Sequence, residues 1–164
     1  MTRSGPALVA WARVYAALKD TRPDFASTSE AVRAVMRGNQ RDTAPERALR
    51  SELHRRGLRF RKNCRPLVGL RCEADIVFPT ERVAAFLDGC AWHGCPDHGM
   101  RARRNGPYWA AKIAKNVERD VRNNTLLRHA GWDVVRGWEH ESCDAVADRV
   151  AAAVYLRRRD SDRN

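Results

Sequence analysis

The stretch DGCAWHGCPDH, residues 88–98, sets two cysteines, two histidines and two aspartates within eleven positions. No other feature limits so strongly what this chain can fold into. Cys90 and Cys95 are separated by four residues, and His98 follows Cys95 with two between. Glycine and proline let so short a loop turn sharply, so three soft donors can close on one ion. Zinc prefers tetrahedral sulfur and nitrogen sites and is the metal this spacing points to. The fourth ligand has to come from elsewhere: His140 is the first candidate, and Cys143 and His93 compete with it. Four protein ligands with no open position would make the site structural. The five cysteines are an odd number, which also favours metal ligation in a reducing compartment over a disulfide framework.

At 164 residues the chain is long enough for one domain with a real core. Residues 1–28 read as an N-terminal extension, a helix and then a linker; residues 29–157 read as the main domain and 158–164 as a basic, disordered tail. Within the domain, Thr43 and Glu46 have capping-box spacing, Pro45 suits a first helical turn and Gly57 a stop. Ala48, Leu49 and Leu53 form the expected inward stripe. ADIVF (74–78) and RVAAFL (82–87), joined by a turn at Pro79-Thr80, read as an antiparallel strand pair. A long helix is expected from Pro107 to about Ala130, ended by Gly131, and then a strand in WDVVRGW. Ser142 caps a last helix carrying Val146, Val150 and Val154 at helical spacing. The order is helix, strand pair, helix, strand, helix, an α/β arrangement around a small mixed sheet.

The formal charge of +11, from 31 basic and 20 acidic residues, suits a polyanionic partner. No apolar run approaches bilayer length, and the expected location is cytoplasmic. Three acids stand out: Glu46 on the first core helix, Asp75 at the mouth of one strand and Asp88 at the end of the next. Acids at neighbouring strand ends can hold Mg²⁺ through hard oxygen ligands; such a cation neutralises a phosphodiester and activates water. His93, on the cysteine loop and close in sequence to Asp88, has the chemistry of a general base. Lys112, Lys115 and Arg119 share one helix face as a phosphate-contacting ridge would. Trp92 and Trp109 are either core aromatics or wedges that unstack base pairs.

RDTAPE, ADIVF, FLDGCAWHGCPDH, YWAAKIAKNVERD and GWDVVRGWEH occur here in an order and spacing that resembles the very-short-patch-repair (Vsr) DNA mismatch endonucleases, from about residue 36 to 141. That family is a zinc-containing branch of the restriction-endonuclease-like nucleases. It nicks one strand beside a T:G mismatch using Mg²⁺, which starts repair of deaminated 5-methylcytosine. The resemblance implies a restriction-endonuclease-like α/β core with a structural zinc. It matches Asp75 to the catalytic metal-binding aspartate, His93 to the catalytic histidine, Asp120 to the acid that orients it, and Glu46 to the first-helix glutamate. Cys90 and Cys95 match zinc ligands. The third ligand falls at Asp97 in the strictest register and at His98 one residue on, while His140 stands where some members use cysteine. Mg²⁺ would be held by Asp75 with Asp88 or the Leu87 backbone carbonyl, and DNA by Trp92, Trp109, Met36, Lys112, Lys115 and Arg119.

Two departures bear on substrate choice. Leu87-Asp88 replaces Thr-His of the best-known members, and Ala91-Trp92 replaces their Phe-Trp wedge. The expected partner is double-stranded, mismatched DNA and no membrane, for a monomeric, nucleoid-associated chain that works with mismatch-repair or methyltransferase-system proteins. An endonuclease of a restriction or defence system, favoured by Ala91, is the first alternative. A zinc-stapled DNA-binding module without activity is the second, and it would have no need of Asp75 and His93.

Overall fold

The computed structural model describes residues 42–99 and 106–163. Met36, the N-terminal extension and most of the loop around Arg103 lie outside the described residues.

Helix α1 (Ala44–Arg55) starts where its sequence dictates. Thr43 is the N-cap: its hydroxyl oxygen accepts from the Glu46 N–H at 3.4 Å, and the Glu46 carboxylate accepts from the Thr43 hydroxyl at 2.9 Å and the Asp42 N–H at 3.1 Å. Gly57, at φ +77°, takes the left-handed turn that ends the helix. Strand β1 (Arg61–Cys64) follows, then β2 (Ala74–Phe78) and β3 (Val83–Asp88). Helix α2 (Gly106–His129), strand β4 (Asp133–Trp138) and helix α3 (Cys143–Ser161) complete the order. The sheet runs β1-β2-β3-β4, antiparallel at the first two pairings and parallel between β3 and β4. A parallel pair needs a crossover connection, and α2 lies in that connection.

The mixed four-stranded sheet with helices on its faces is the α/β class expected from the sequence. Ile76, Phe78, Val83 and Ala85 bury one face against Leu49 and Leu53 of α1 and Val146, Val150 and Val154 of α3. Val77, Ala84 and Phe86 bury the other against Leu127 of α2 and against Trp132. Each fully covered Leu, Ile or Val contributes roughly 1.5–3 kcal/mol of transfer free energy, so these two layers dominate the fold's stability.

Three expectations change. Strand β1 was not anticipated, because RKNC has no apolar alternation; it is an edge strand held by backbone pairing, with Arg61 opposite Val77 and Cys64 opposite Ala74. Ala48 is exposed rather than part of the inward stripe, and Arg50 is buried in its place, drawn in by Asp42 and Glu46. Helix α3 continues to Ser161 and so takes in residues 158–161 of the stretch set apart as a tail. No helix among the described residues is long and apolar enough to cross a membrane. Asp42–Asp88 and Val121–Asn164 form one compact unit, and the other takes in Gly89–Asp120.

Gly137, inside β4 and level with Leu87 of β3, fixes how closely α3 approaches the sheet. A Cβ there would lie 2.7 Å from Val146 Cγ1 and 2.8 Å from Cγ2. Gly137→Ala should therefore destabilise the protein by about 1–3 kcal/mol through overpacking, read by chemical denaturation. Adding Val146→Ala should recover part of that loss; a double variant no better than strictly additive would rule out this contact as the cause.

Candidate active site and metal centre

Asp75 is the second residue of β2, where the β2–β3 ladder gives out. Its Oδ2 accepts from the Leu87 N–H at 2.7 Å, so a side chain takes the place of a backbone partner. Burial is the largest influence on this carboxyl and pushes its pKa up to about 6; the Leu87 bond opposes that shift, while the charges of Glu46 and Asp88 add to it. The charges of two further carboxylates thus act on Asp75 at this strand end. The N–H and C=O of a strand residue project toward the same edge, so the Leu87 carbonyl faces the side on which Asp75 lies.

Asp88 is 4% exposed and is gripped by Arg136 of the neighbouring parallel strand, Nε to Oδ2 at 2.6 Å and Nη2 to Oδ1 at 2.5 Å. The two-pronged contact is the geometry at which a guanidinium binds a carboxylate best. Arg136 also lies 4.9 Å over the Phe86 ring and donates to Asn124 Oδ1 at 3.1 Å. Glu46 is held in its capping box and accepts from Arg50 at 3.5 Å, and Arg50 binds Asp42 as well. Glu46 and Asp88 therefore each have an arginine on them, whereas Arg136 acts on Asp75 only through its charge, against the shift that burial causes.

In the second unit, the N–H groups of Trp92 and His93 both bond the Gly89 carbonyl, at 3.1 and 3.2 Å, and Gly94 turns at φ +69°. This winds the loop so that the donor atoms of Cys90, Cys95 and His98 come within 4.8 Å of one another. Both cysteines are buried and unbridged. The His98 N–H points at Cys95 Sγ from 3.3 Å, and Nδ1 of its ring lies 3.9 Å from that sulfur. Zinc bonds of roughly 2.0–2.3 Å in a tetrahedron require ligand atoms somewhat closer than this, so a small closure of the loop fits the ion. Asp97 is exposed and outside this group. His140 follows β4 in the other unit, exposed and stacked on Trp138 at 6.4 Å and 13°.

His93 Nδ1 lies 2.6 Å from Oδ2 of the buried Asp120. A carboxylate on Nδ1 fixes the tautomer and the orientation of the ring. Asn116 donates to the Trp92 carbonyl at 3.0 Å and so pins the loop that carries His93 to α2. Trp109 is 9% exposed and meets Trp92 at 5.4 Å and 58°, with the Lys112 ammonium over both rings. Lys115 and Arg119 are exposed on the same helix, and Arg119 reaches Asp120 at 3.5 Å.

Sequence reasoning missed Arg136, Asn116 and Arg50. Arg136 had a legible signal, a cation in the middle of WDVVRGW, a strand otherwise apolar enough to be core. Asn116 and Arg50 sit on helix faces with no distinguishing pattern, and only the packing reveals them.

A family model described as DNA mismatch endonuclease Vsr matches residues 23–98. The chain is 48% identical over 122 residues to the type II nicking enzyme V.NaeI of Lentzea aerocolonigenes, covering 73% of this chain and 72% of that relative. It is 41% identical over 111 residues to the type II nicking enzyme V.XorIIP of Xanthomonas oryzae pv. oryzae, covering 65% of this chain and 77% of the relative. To the DNA mismatch endonuclease Vsr of Escherichia coli it is 39% identical over 118 residues, 71% of each. The strand of Asp75 and the loop of Cys90, His93 and Cys95, both part of the resemblance, lie inside the matched segment. The chain belongs to the Vsr DNA mismatch endonuclease family, and it is a DNA endonuclease.

Proposed function

We propose that this endonuclease nicks one strand of duplex DNA beside a T:G mismatch, with Mg²⁺ at Asp75 and a structural Zn²⁺ on the cysteine loop. The observation that carries the reading is Asp75 itself: a half-buried carboxylate, unpaired by arginine, at a strand end that also offers the Leu87 carbonyl. Those are hard oxygen donors of the kind Mg²⁺ selects. When bound, Mg²⁺ supplies neutralisation of the phosphodiester, a more acidic water and stabilisation of the leaving oxygen.

The chain's own residues do the rest. Asp75 and the Leu87 carbonyl position the cation, with Glu46 adding negative charge behind them. Asp88, both oxygens engaged by Arg136, holds the end of β3 in place and tunes the field at Asp75. His93 takes the proton of the attacking water at Nε2, with Asp120 holding Nδ1–H. Cys90, Cys95, His98 and His140 hold zinc and fix the loop that carries His93. Trp92 contacts the duplex with the buried Trp109 packed behind it, and Lys112, Lys115 and Arg119 contact its phosphates. A mismatch that is already easy to unstack suits a wedge beside a nicking centre.

A second reading keeps the chemistry and changes its setting, to a nicking enzyme of a restriction or defence system. The names of two of the relatives, type II nicking enzymes, support it, as does Ala91 where the family wedge has phenylalanine. Incubation with Mg²⁺ and end-labelled duplexes carrying T:G, other mismatches or none separates the two. Nicking confined to T:G supports mismatch repair; equal cutting of every duplex supports the second reading and overturns the first.

Two variants test the parts. Asp120→Asn leaves the His93 geometry but favours the wrong tautomer, and should lower kcat on the order of 10³–10⁴-fold with DNA affinity unchanged. Retained activity would remove His93 from proton transfer. For Asp75, a pKa above the ordinary 3.8 means that the protonated form favours folding. That contribution is complete below about 3.8 and lost as pH rises through about 6. Asp75→Asn should abolish nicking yet raise the metal-free melting temperature near neutral pH, an advantage that shrinks as pH falls through about 6. A variant no more stable at any pH would show that Asp75 is not strained by its burial.

A further inference from the structure

The segment RFRKNCRPLVGLRCE, residues 59–73, carries Arg59, Arg61, Lys62, Arg65 and Arg71 against one acid, Glu73. All five cations are exposed. They sit on the hairpin formed by β1 and β2, and β1 is the sheet's edge strand, so its outer side has no neighbour within the sheet. Lys62 pairs with Asp42 at 3.5 Å. Among the described residues, no ion pair engages Arg61, Arg65 or Arg71.

The register ties these arginines to the proposed cutting site. Lys62 lies opposite Ile76 and Cys64 opposite Ala74, which puts Asn63 across from Asp75. Asn63 adopts φ +48°, a left-handed conformation that non-glycine residues rarely take, one residue before the strand ends at Cys64. Arg61 is two positions from the Asp75 level on one side and Arg65 two on the other. Arg65 follows the last strand residue, Cys64. At no more than about 3.3 Å per residue the two arginines therefore lie within roughly 13 Å of each other along the chain, a reach of up to about four nucleotides of one DNA strand at about 3.4 Å each. Arg71 precedes Asp75 by four residues along the chain, so it lies within a similar reach.

We propose that this hairpin is a second DNA-contacting element, in which Arg61, Arg65 and Arg71 bind the duplex phosphates that flank the bond cut at Asp75. The proposal rests on the reading that the Asp75 end of the sheet is the cutting site. It adds to that reading a surface that sets the duplex along the strand direction while the α2 cations hold it elsewhere. Exposed edge cations have another use, keeping sheet edges of different molecules from pairing, and the test separates the two.

The triple variant R61Q/R65Q/R71Q and the loop variant R65Q/R71Q are compared with wild type in Mg²⁺-free buffer, with duplex Kd measured across salt concentrations. Neutralising one phosphate-binding arginine should flatten the log Kd–log salt slope by about 0.9, so by about 2–3 for the triple and about 2 for the loop variant. Neutral methylphosphonates scanned singly along the duplex should weaken wild type at positions flanking the nick, with no such effect in the triple variant. Melting temperature confirms that both variants fold. An unchanged salt slope, the same methylphosphonate profile in variant and wild type, or self-association with unaltered DNA binding would each overturn the proposal. The two claims fail separately. If no duplex is nicked, the cutting-site reading falls, while the salt slope still reports whether the hairpin binds phosphate.

Discussion

Asp88 closes β3 with a buried carboxylate, and Arg136 reaches it from the strand that runs parallel beside it. This pair bridges the one parallel seam of the sheet, whose two strands are far apart in sequence and have no tight turn to set their register. Removing one partner of such a buried pair typically costs about 3–5 kcal/mol, because the other charge is left stranded. The register that the pair enforces has local consequences. It places Leu87 level with Gly137, and Leu87 is the residue whose N–H holds Asp75. The Asp88 carbonyl also accepts from the Glu139 N–H at 3.0 Å, which carries the same seam one step toward His140. A slip of one residue here would turn Leu87 to the opposite edge and take the N–H away from Asp75.

The same pair explains why Asp75 differs from its neighbours. Glu46 is tied to Thr43 and Arg50, and Asp88 to Arg136. Their charges are compensated locally, but they still act on Asp75 over a short distance and raise its pKa in the same direction as its burial does. The protein therefore holds one carboxylate in an environment that disfavours its charged form, at a stability cost that a cation bound there would relieve. Strain of this sort is common where a site is built for a ligand rather than for the fold alone.

How much could be read in advance followed the physics of each element. Helix α1 was legible from Thr43, Glu46, Pro45 and Gly57, because caps are local and their side chains bond within one turn. Strands β2, β3 and β4 were legible from their β-branched runs, and α3 from Ser142 and its valines. Strand β1 was not, since an edge strand of RKNC is stabilised by backbone pairing that leaves no mark on side-chain pattern. Arg50 is buried and Ala48, expected inward, is exposed, because the ion pairs of Arg50 with Asp42 and Glu46 outweigh the apolar preference of one small residue. At the site, Asp75, His93 and the cysteine loop were found from residue type and spacing together with the family resemblance. The contact between His93 and Asp120 joins residues 27 apart in sequence, and only the resemblance pointed to it.

The order Leu87-Asp88-Gly89-Cys90 places two kinds of donor on consecutive residues. On one side are a carbonyl and carboxylates, on the other thiols and imidazoles. Hard oxygen sites suit magnesium, while thiolate and imidazole suit zinc, and raw affinity alone would send the tighter-binding metal to both. Separation by donor softness would let one short segment discriminate between two such ions. Gly89 stands at the changeover, and its carbonyl accepts from both Trp92 and His93. The residue that ends the oxygen-rich strand thus also starts the winding of the sulfur-rich loop. Asp120 orients His93 through Nδ1, and the wound loop carries it.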